Sequence, residues 1–83
     1  MSAMGAMGRL ISRFPHRELS IRRLFAHSAE FRAICEDYDE ALGALQHWES
    51  TNCDAKAQEY RVLAAELEME IVRMLDLPTE AKP

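Results

Sequence analysis

Two heptad repeats in the second half of the chain constrain the fold more than any other feature of the sequence. The first repeat places apolar residues alternately three and four positions apart, at Phe31, Ile34, Tyr38, Ala41, Leu45 and Trp48. The second repeat has the same spacing, at Ala57, Tyr60, Ala64, Leu67, Ile71 and Met74. Apolar residues at this spacing form the a and d positions with which helices pack side by side in coiled coils. The sequence therefore predicts two helices, each with one apolar seam.

The two seams match each other when the helices run in opposite directions. In that alignment Phe31 faces Met74 at one end and Trp48 faces Ala57 at the other, and every seam residue has an apolar counterpart. The alignment places the turn at Asn52–Cys53, within residues 50–54, which are typical of turns and helix N-caps. Since spacing, pairing and turn chemistry agree, we predict an all-α fold, an antiparallel two-helix hairpin resembling a coiled coil, with a short N-terminal helical segment.

The bounds of the helices follow from the positions of proline and glycine. Only Gly43 interrupts the stretch between Pro15 and Pro78, so we expect helices over about 17–49 and 55–77, joined by a turn at 50–54. Ser28 is a weak interruption, and whether residues 9–27 continue the first helix or fold back stays open. Residues 1–8 contain two glycines and no apolar period, so we expect a disordered leader before a single helical domain over 9–83.

The charge of the chain is divided unevenly. The net charge is −4, but residues 1–33 carry six arginines against two acidic residues, whereas residues 34–83 carry four basic and twelve acidic residues. A basic N-terminal arm can bind the acidic remainder of its own chain, an anionic membrane surface or a nucleic acid. The first needs no external partner and is the preferred interpretation, so a membrane or nucleic-acid partner is not expected.

Residues that could support catalysis or metal binding do not form a recognisable motif. The histidines and cysteines have no metal-ligand spacing; they are His16, His27, Cys35, His47 and Cys53. The acidic run Glu36–Glu40 would point in several directions around a helix and is interpreted as a solvated face. We therefore expect no catalytic, cofactor-binding or metal site, no small-molecule substrate and no enzymatic activity.

Apolar residues outside the seams indicate an interface. On the second helix these are Val62, Ala65, Met69 and Val72, on the side away from the seam, and Leu24 and Phe25 add apolar residues upstream. Either the N-terminal segment with Leu10, Ile11 and Phe14 covers the face on the second helix, or a second copy does. A chain of 83 residues has a small core, so we prefer a homo-oligomer.

The sequence thus favours a non-enzymatic helical interaction or assembly protein that self-associates. The alternative is a small regulator or adaptor that docks on a membrane or nucleic acid through its basic arm.

The sequence shows no clear targeting signal that would indicate a cellular location. The chain has no apolar run of about 20 residues and no apolar N-terminal core of the signal-peptide type, so we expect a cytoplasmic protein. The arginine-rich first 28 residues share some composition with mitochondrial transit peptides, although an ordinary N-terminal helix is the preferred interpretation.

Three segments carry a resemblance to a known family. They are Leu10-Ile11-Ser12-Arg13, then Leu24-Phe25-Ala26-His27 followed by Phe31 and Ile34, and then Tyr60 through Glu70-Ile71-Val72-Arg73-Met74-Leu75. Over roughly Leu10 to Leu75 the chain resembles the YdcH-like family of small bacterial proteins. The resemblance implies a coiled-coil hairpin and a bacterial cytoplasmic setting. It supplies no catalytic residues, since the family is one of unknown function.

Overall fold

The described part of the chain is folded into four α-helices. A computed structural model describes the backbone of residues 2–77 and the side chains of residues 5–77. The helices are α1 (Ser2–Arg13), α2 (Glu18–His27), α3 (Ala29–Ser50) and α4 (Asp54–Asp76), and one 3-10 turn (Pro15–Arg17) joins α1 to α2. The prediction of an all-α fold is confirmed over these residues. Pro78, which was predicted to end the second helix, lies outside the described residues.

α3 and α4 run antiparallel and form the most extensive packing of the molecule. Tyr38 contacts Glu68 near the middle of the pair, and Glu49 contacts Arg61 near the turn, so the partner's number falls as the chain advances along α3. Asn52 makes the turn with φ of 61°, a left-handed conformation that asparagine tolerates better than most residues. The amide of Cys53 then donates to the carbonyl of Trp48 at 3.0 Å and closes the turn.

The description as a two-helix hairpin is incomplete, because the predicted first helix is two helices. Ser28 has an extended backbone, with φ of −128° and ψ of 110°, and separates α2 from α3. Its hydroxyl accepts a hydrogen bond from the amide of Phe31 at 3.0 Å and thereby caps α3. On the other side of the break, Arg32 donates to the carbonyl of Phe25 at 2.6 Å, which satisfies one of the free carbonyls at the end of α2.

The structure also differs from the expectation of a disordered leader at residues 1–8. α1 begins at Ser2 and buries Ala6, Met7 and Leu10, which are 1%, 9% and 0% exposed. These residues pack mainly on α3, with further contacts to α2. Burial of this face outweighs the roughly 1 kcal/mol by which each glycine disfavours a helix, and Gly5 and Gly8 lie on the exposed side.

α2 connects the N-terminal helix to the hairpin and completes one hydrophobic core. It buries Ile21 and Phe25 and packs against α1, α3 and α4. The core includes Leu10 of α1, Phe31 of α3 and Ile71 of α4. All four helices therefore contribute to a single core, rather than two helices with an appendage. None of the helices within residues 2–77 is both long and apolar enough to cross a membrane.

Candidate functional site

The side of α4 that faces away from α3 carries an exposed apolar row, here called the outer stripe, which consists of Val62, Ala65, Met69 and Val72. These residues are spaced three and four apart, so they share one side of the helix. Met69 is 71% exposed and Val62 is 46% exposed, whereas Val72 is half-buried. The opposite side of α4 is the buried seam. α4 is therefore apolar on two sides but covered on one.

An open groove runs along the C-terminal half of the outer stripe. Phe14, at the junction after α1, lies beside Met69 and Val72. The rim of the groove is polar and is formed by Glu68, Arg73 and Asp76. Phe14 thus provides the partial cover that the sequence allowed for the N-terminal segment, but Met69 stays largely exposed.

The two interface candidates on α2 are not part of this surface. Phe25 is only 8% exposed and belongs to the hydrophobic core, because α2 folds back against the hairpin. Leu24 is half-buried and packs against the same core. Phe25 therefore lies in the core of the chain, whereas the candidates Val62, Ala65, Met69 and Val72 lie together on the outer stripe, with Phe14 beside two of them.

The arginines of the N-terminal segment bind acidic residues of the same chain. Three arginines, spaced four residues apart, each pair with a carboxylate of α3 or α4. The pairs are Arg9–Asp39, Arg13 Nε–Glu68 Oε2 at 2.9 Å, and Arg17 Nη2–Asp76 Oδ1 at 2.8 Å. The basic arm thus lies along α3 and α4.

One of these pairs belongs to a network that joins three helices. Glu68 accepts a second hydrogen bond from Arg13, at 3.2 Å, and a further one from the hydroxyl of Tyr38. Burial raises the pKa of Glu68, but the hydrogen bonds from Arg13 and Tyr38 outweigh it and hold the pKa below its usual value. Burial, with the nearby Glu68 carboxylate, raises the pKa of Tyr38 to about 12. Arginine and tyrosine of one chain converge here on a single ionised carboxylate, and no spacing in the sequence indicates that they should.

The cysteines and histidines are dispersed. Cys35 is 1% exposed in the core, and burial, with the neighbouring Glu36 charge, raises its thiol pKa to about 12, which makes it a poor nucleophile. Cys53 is half-buried at the turn, and His47 packs edge-on against Trp48 with ring centroids 4.8 Å apart. Within residues 2–77 no three His, Cys, Asp or Glu side chains come close enough to hold a metal ion.

A second groove follows the opposite edge of the α3–α4 pair. Its lining consists of Asp37, Glu40, Ala41, Ala44, Tyr60, Leu63 and Leu67. Leu63 is 40% exposed there, and the two carboxylates lie on the α3 side. The floor of this groove is the packed seam itself, so it offers a narrow surface rather than an enclosed site.

Comparison of the chain with models of known protein families, with curated proteins and with solved structures gives no match. The resemblance to the YdcH-like family is untested by these comparisons. The surfaces described above are therefore the evidence that bears on function.

Proposed function

We propose that the protein is a non-enzymatic helical interaction protein that self-associates, with the outer stripe of α4 as its contact surface. One observation carries the proposal: Met69 and Val62 are 71% and 46% exposed on a helix whose other side packs against α3. A helix that is apolar on two sides is normally buried on both, and clustered exposed apolar residues mark interaction sites.

The small size of the hydrophobic core in the described residues supports the same proposal. Chains of this length bury a smaller fraction of their surface than larger domains do, and their cores supply only a few kcal/mol of stability. Two free cysteines, one buried and one at the turn, form no disulfide that would add to it. Association of the outer stripe with a partner would stabilise the fold by mass action.

The packing of α3 on α4 is proposed to follow the coiled-coil register of the two heptads. In support of this, none of the twelve seam residues is exposed: half are buried and half are partly buried. The proposed setting, the cytoplasm of a bacterium, depends on the resemblance to the YdcH-like family.

The alternative function, docking of the basic arm on a membrane or nucleic acid, has less support. Arg9, Arg13 and Arg17 are engaged with carboxylates of their own chain, and Arg22 pairs with Glu18 within α2. An external anion would have to compete with these pairs. If docking occurs, binding to anionic vesicles or to duplex DNA should fall steeply with added salt, whereas association through an apolar stripe should not.

The test is a Val62→Lys/Met69→Lys double variant, studied by sedimentation velocity from micromolar concentration to about 1 mM, where even weak association is populated. Both side chains are exposed, so the lysines cost the monomer little, but a dimer would have to bury four additional charges. We expect a wild-type oligomer that the variant loses, with helicity by circular dichroism retained.

The matched control is Leu19→Lys/Ala33→Lys, which adds the same charge at exposed positions on α2 and α3. This control should sediment like the wild type. A double variant of the outer stripe that still associates would show that another surface makes the contact. A wild-type protein that stays monomeric to about 1 mM would overturn self-association itself.

A further inference from the structure

We propose that the groove on the edge of the α3–α4 pair opposite α1, here called the open edge, binds a basic amphipathic helix of another protein. The open edge is lined by Asp37, Glu40, Ala41, Ala44, Tyr60, Leu63 and Leu67. This surface is separate from the outer stripe, so binding there does not require self-association. Its apolar lining, its charges and its likeness to the edge that α1 covers favour such an occupant.

The apolar lining of the open edge has the shape that a helix requires. On α3 the apolar lining residues are the small Ala41 and Ala44, so a partner can approach α3 closely. On α4 they are larger, and Leu63 is 40% exposed. Leu63 and Leu67 are four residues apart, or about 6 Å along the helix axis, which is also the distance between residues four apart on a partner helix. The groove can therefore accept a row of apolar side chains spaced three and four residues apart.

The charges beside this lining are carboxylates without a counter-ion. Asp37 and Glu40 lie on the α3 side of the groove, and both are exposed. Glu66, which is also exposed, lies between Leu63 and Leu67 in the sequence of α4. None of the three carboxylates forms an ion pair with another residue within 5–77. Lysines or arginines on the flanks of a partner helix would complement them.

The basic residues of α4 do not neutralise the open edge, because all three already pair with other carboxylates. The pairs are Lys56–Glu59 at 3.6 Å, Arg61–Glu49 at 3.1 Å and Arg73–Glu70 at 2.6 Å. The charge of Asp37, Glu40 and Glu66 is therefore in excess. Two copies that met through their open edges would set like charges against each other, which disfavours a symmetric contact at this surface.

The other edge of the α3–α4 pair shows which element fits a surface of this kind. α1 lies there with Leu10 fully buried, and its Arg9 and Arg13 pair with Asp39 of α3 and Glu68 of α4. An apolar helix face thus packs on the pair while arginines bind a carboxylate of each helix. The open edge offers the same two components. α1 of a second copy cannot supply them while its apolar face is buried in its own core, so the occupant is a helix of another protein.

The probe for this binding is a synthetic, fluorescein-labelled peptide of about 14 residues, or about four helical turns, with leucines on one face and lysines on the other. One control peptide has serine in place of every leucine, and a second has glutamate in place of every lysine. Fluorescence anisotropy with the full chain should show binding of the leucine–lysine peptide that weakens steeply with added salt. Both control peptides should bind at least about tenfold more weakly. A serine–lysine peptide that bound equally well would contradict an apolar contact and overturn the inference.

The role of the carboxylates is tested by Asp37→Asn/Glu40→Gln, which should raise the Kd of the leucine–lysine peptide about threefold or more, judged from the energies of exposed charge pairs. The matched control is Glu36→Gln/Asp54→Asn, which removes the same charge at exposed positions outside the groove lining. The control should leave the Kd within about twofold of the wild-type value. Equal weakening by the two variants would show attraction to the overall charge of the chain and would contradict a site at the open edge.

The role of the apolar lining is tested by Leu63→Gln, which removes an apolar side chain without changing the charge. It should weaken binding of the same peptide about threefold or more, because the exposed part of Leu63 would no longer be buried on binding. Leu19→Gln makes the same change at a 78% exposed position on α2 and should leave the Kd unchanged. A Leu63→Gln variant that bound as tightly as the wild type would rule out the groove.

Amide chemical shifts measured by NMR locate the bound peptide. The largest changes should fall within residues 37–44 and 60–67. Changes confined to α1 or to the outer stripe would overturn the inference. Changes in the groove that appear on raising the protein concentration alone, without peptide, would show that a second copy occupies it and would also overturn the inference. A monomeric wild type would remove the proposed self-association but leave binding at the open edge intact, so the two proposals fail separately.

Discussion

At the scale of single residues, Glu68 links the N-terminal helix to the hairpin. Its carboxylate accepts hydrogen bonds from Arg13 in α1 and from Tyr38 in α3. The side chain is 26% exposed, so these bonds form where water competes only partly. Most ion pairs on this surface contribute little to stability, but a partly buried carboxylate that accepts several hydrogen bonds contributes more.

We expect Glu68→Gln to lower the free energy of unfolding by about 1–2 kcal/mol, since a charge-assisted hydrogen bond to Arg13 becomes a neutral one. Urea unfolding followed by circular dichroism measures the change. Glu36→Gln, at an exposed position of α3, is the control and should change stability by less than about 0.5 kcal/mol. Equal effects in the two variants would mean that the network is not formed in solution.

The lowered pKa of Glu68 predicts how the stability of the fold depends on pH. The pKa of Glu68 is lower in the folded protein than the 4.5 of a free glutamate, so its ionised form favours folding. Its contribution is complete above about pH 4.5 and is lost as the pH falls through the folded-state pKa. The stability difference between wild type and Glu68→Gln should therefore shrink below pH 4.5. A difference that stays constant down to pH 2 would contradict the lowered pKa.

At the scale of helices, the break at Ser28 determines how the N-terminal half folds. Without it, α2 and α3 would continue as one helix and Phe25 would project beyond the hairpin. The hydroxyl of Ser28 caps α3, and Arg32 satisfies the end of α2. The break lets α2 bury Ile21 and Phe25, which offsets the loss of helical hydrogen bonds at the junction.

We expect Ser28→Ala to lower the free energy of unfolding by about 1 kcal/mol, because the amide of Phe31 loses its capping partner. The matched control is Ser12→Ala, at an exposed position within α1, where alanine should be neutral or slightly stabilising. Thermal unfolding of the two variants at one protein concentration makes the comparison. If Ser12→Ala lowered the thermal stability more than Ser28→Ala does, the capping role of Ser28 would be contradicted.

The packing of the seam between α3 and α4 predicts how larger side chains there affect stability. Ala41 and Ala64 are 3% and 6% exposed, so tryptophan at either position should crowd the seam and cost about 1–3 kcal/mol. Glu40→Gln, one residue away but exposed, should have almost no effect. Small and similar effects at all three positions, measured by urea unfolding, would show that the register of the seam is wrong.

At the scale of the whole molecule, α1 is part of the only core within the described residues rather than an arm attached to it. Leu10 is fully buried, and it belongs to the same cluster as Cys35 and Ile71. Together, the ion pairs of Arg9, Arg13 and Arg17 hold the basic segment against the acidic helices. Loosening α1 should therefore affect residues far from it in the sequence.

We expect Leu10→Ala to cost about 2–5 kcal/mol, as truncation of a fully buried leucine does, and to make Cys35 more reactive towards a thiol reagent. In the wild type, Cys53 should react quickly and Cys35 slowly, since Cys35 is 1% exposed. Gly8→Ala, on the exposed side of α1, should instead leave Cys35 protected. Unchanged slow labelling of Cys35 in Leu10→Ala would contradict a shared core.

The sequence by itself determined the features that local periodicity encodes. The heptads from Phe31 to Trp48 and from Ala57 to Met74 specify two helices, and the residues around Asn52 specify the turn between them. The observed α4, Asp54–Asp76, and the end of α3 at Ser50 lie close to the expected bounds, but α3 begins at Ala29 instead of about residue 17. The exposure of Val62 and Met69 also follows from their position opposite the seam. These features depend on spacings of three and four residues, which a single sequence displays directly.

Only the tertiary structure determined how the N-terminal third folds and what it contacts. The glycines among residues 1–8 disfavour a helix locally, yet Ala6 and Leu10 bury against helices that come later in the chain, and this burial stabilises α1. Phe25 moved from a candidate interface to the core for the same reason, once α2 folded back at Ser28. Arg13 and Glu68 lie 55 residues apart, and no local pattern indicates that they meet. Contacts of this kind depend on how helices are arranged in space, and the free energy of burying their faces together exceeds the weak local preferences that a sequence shows.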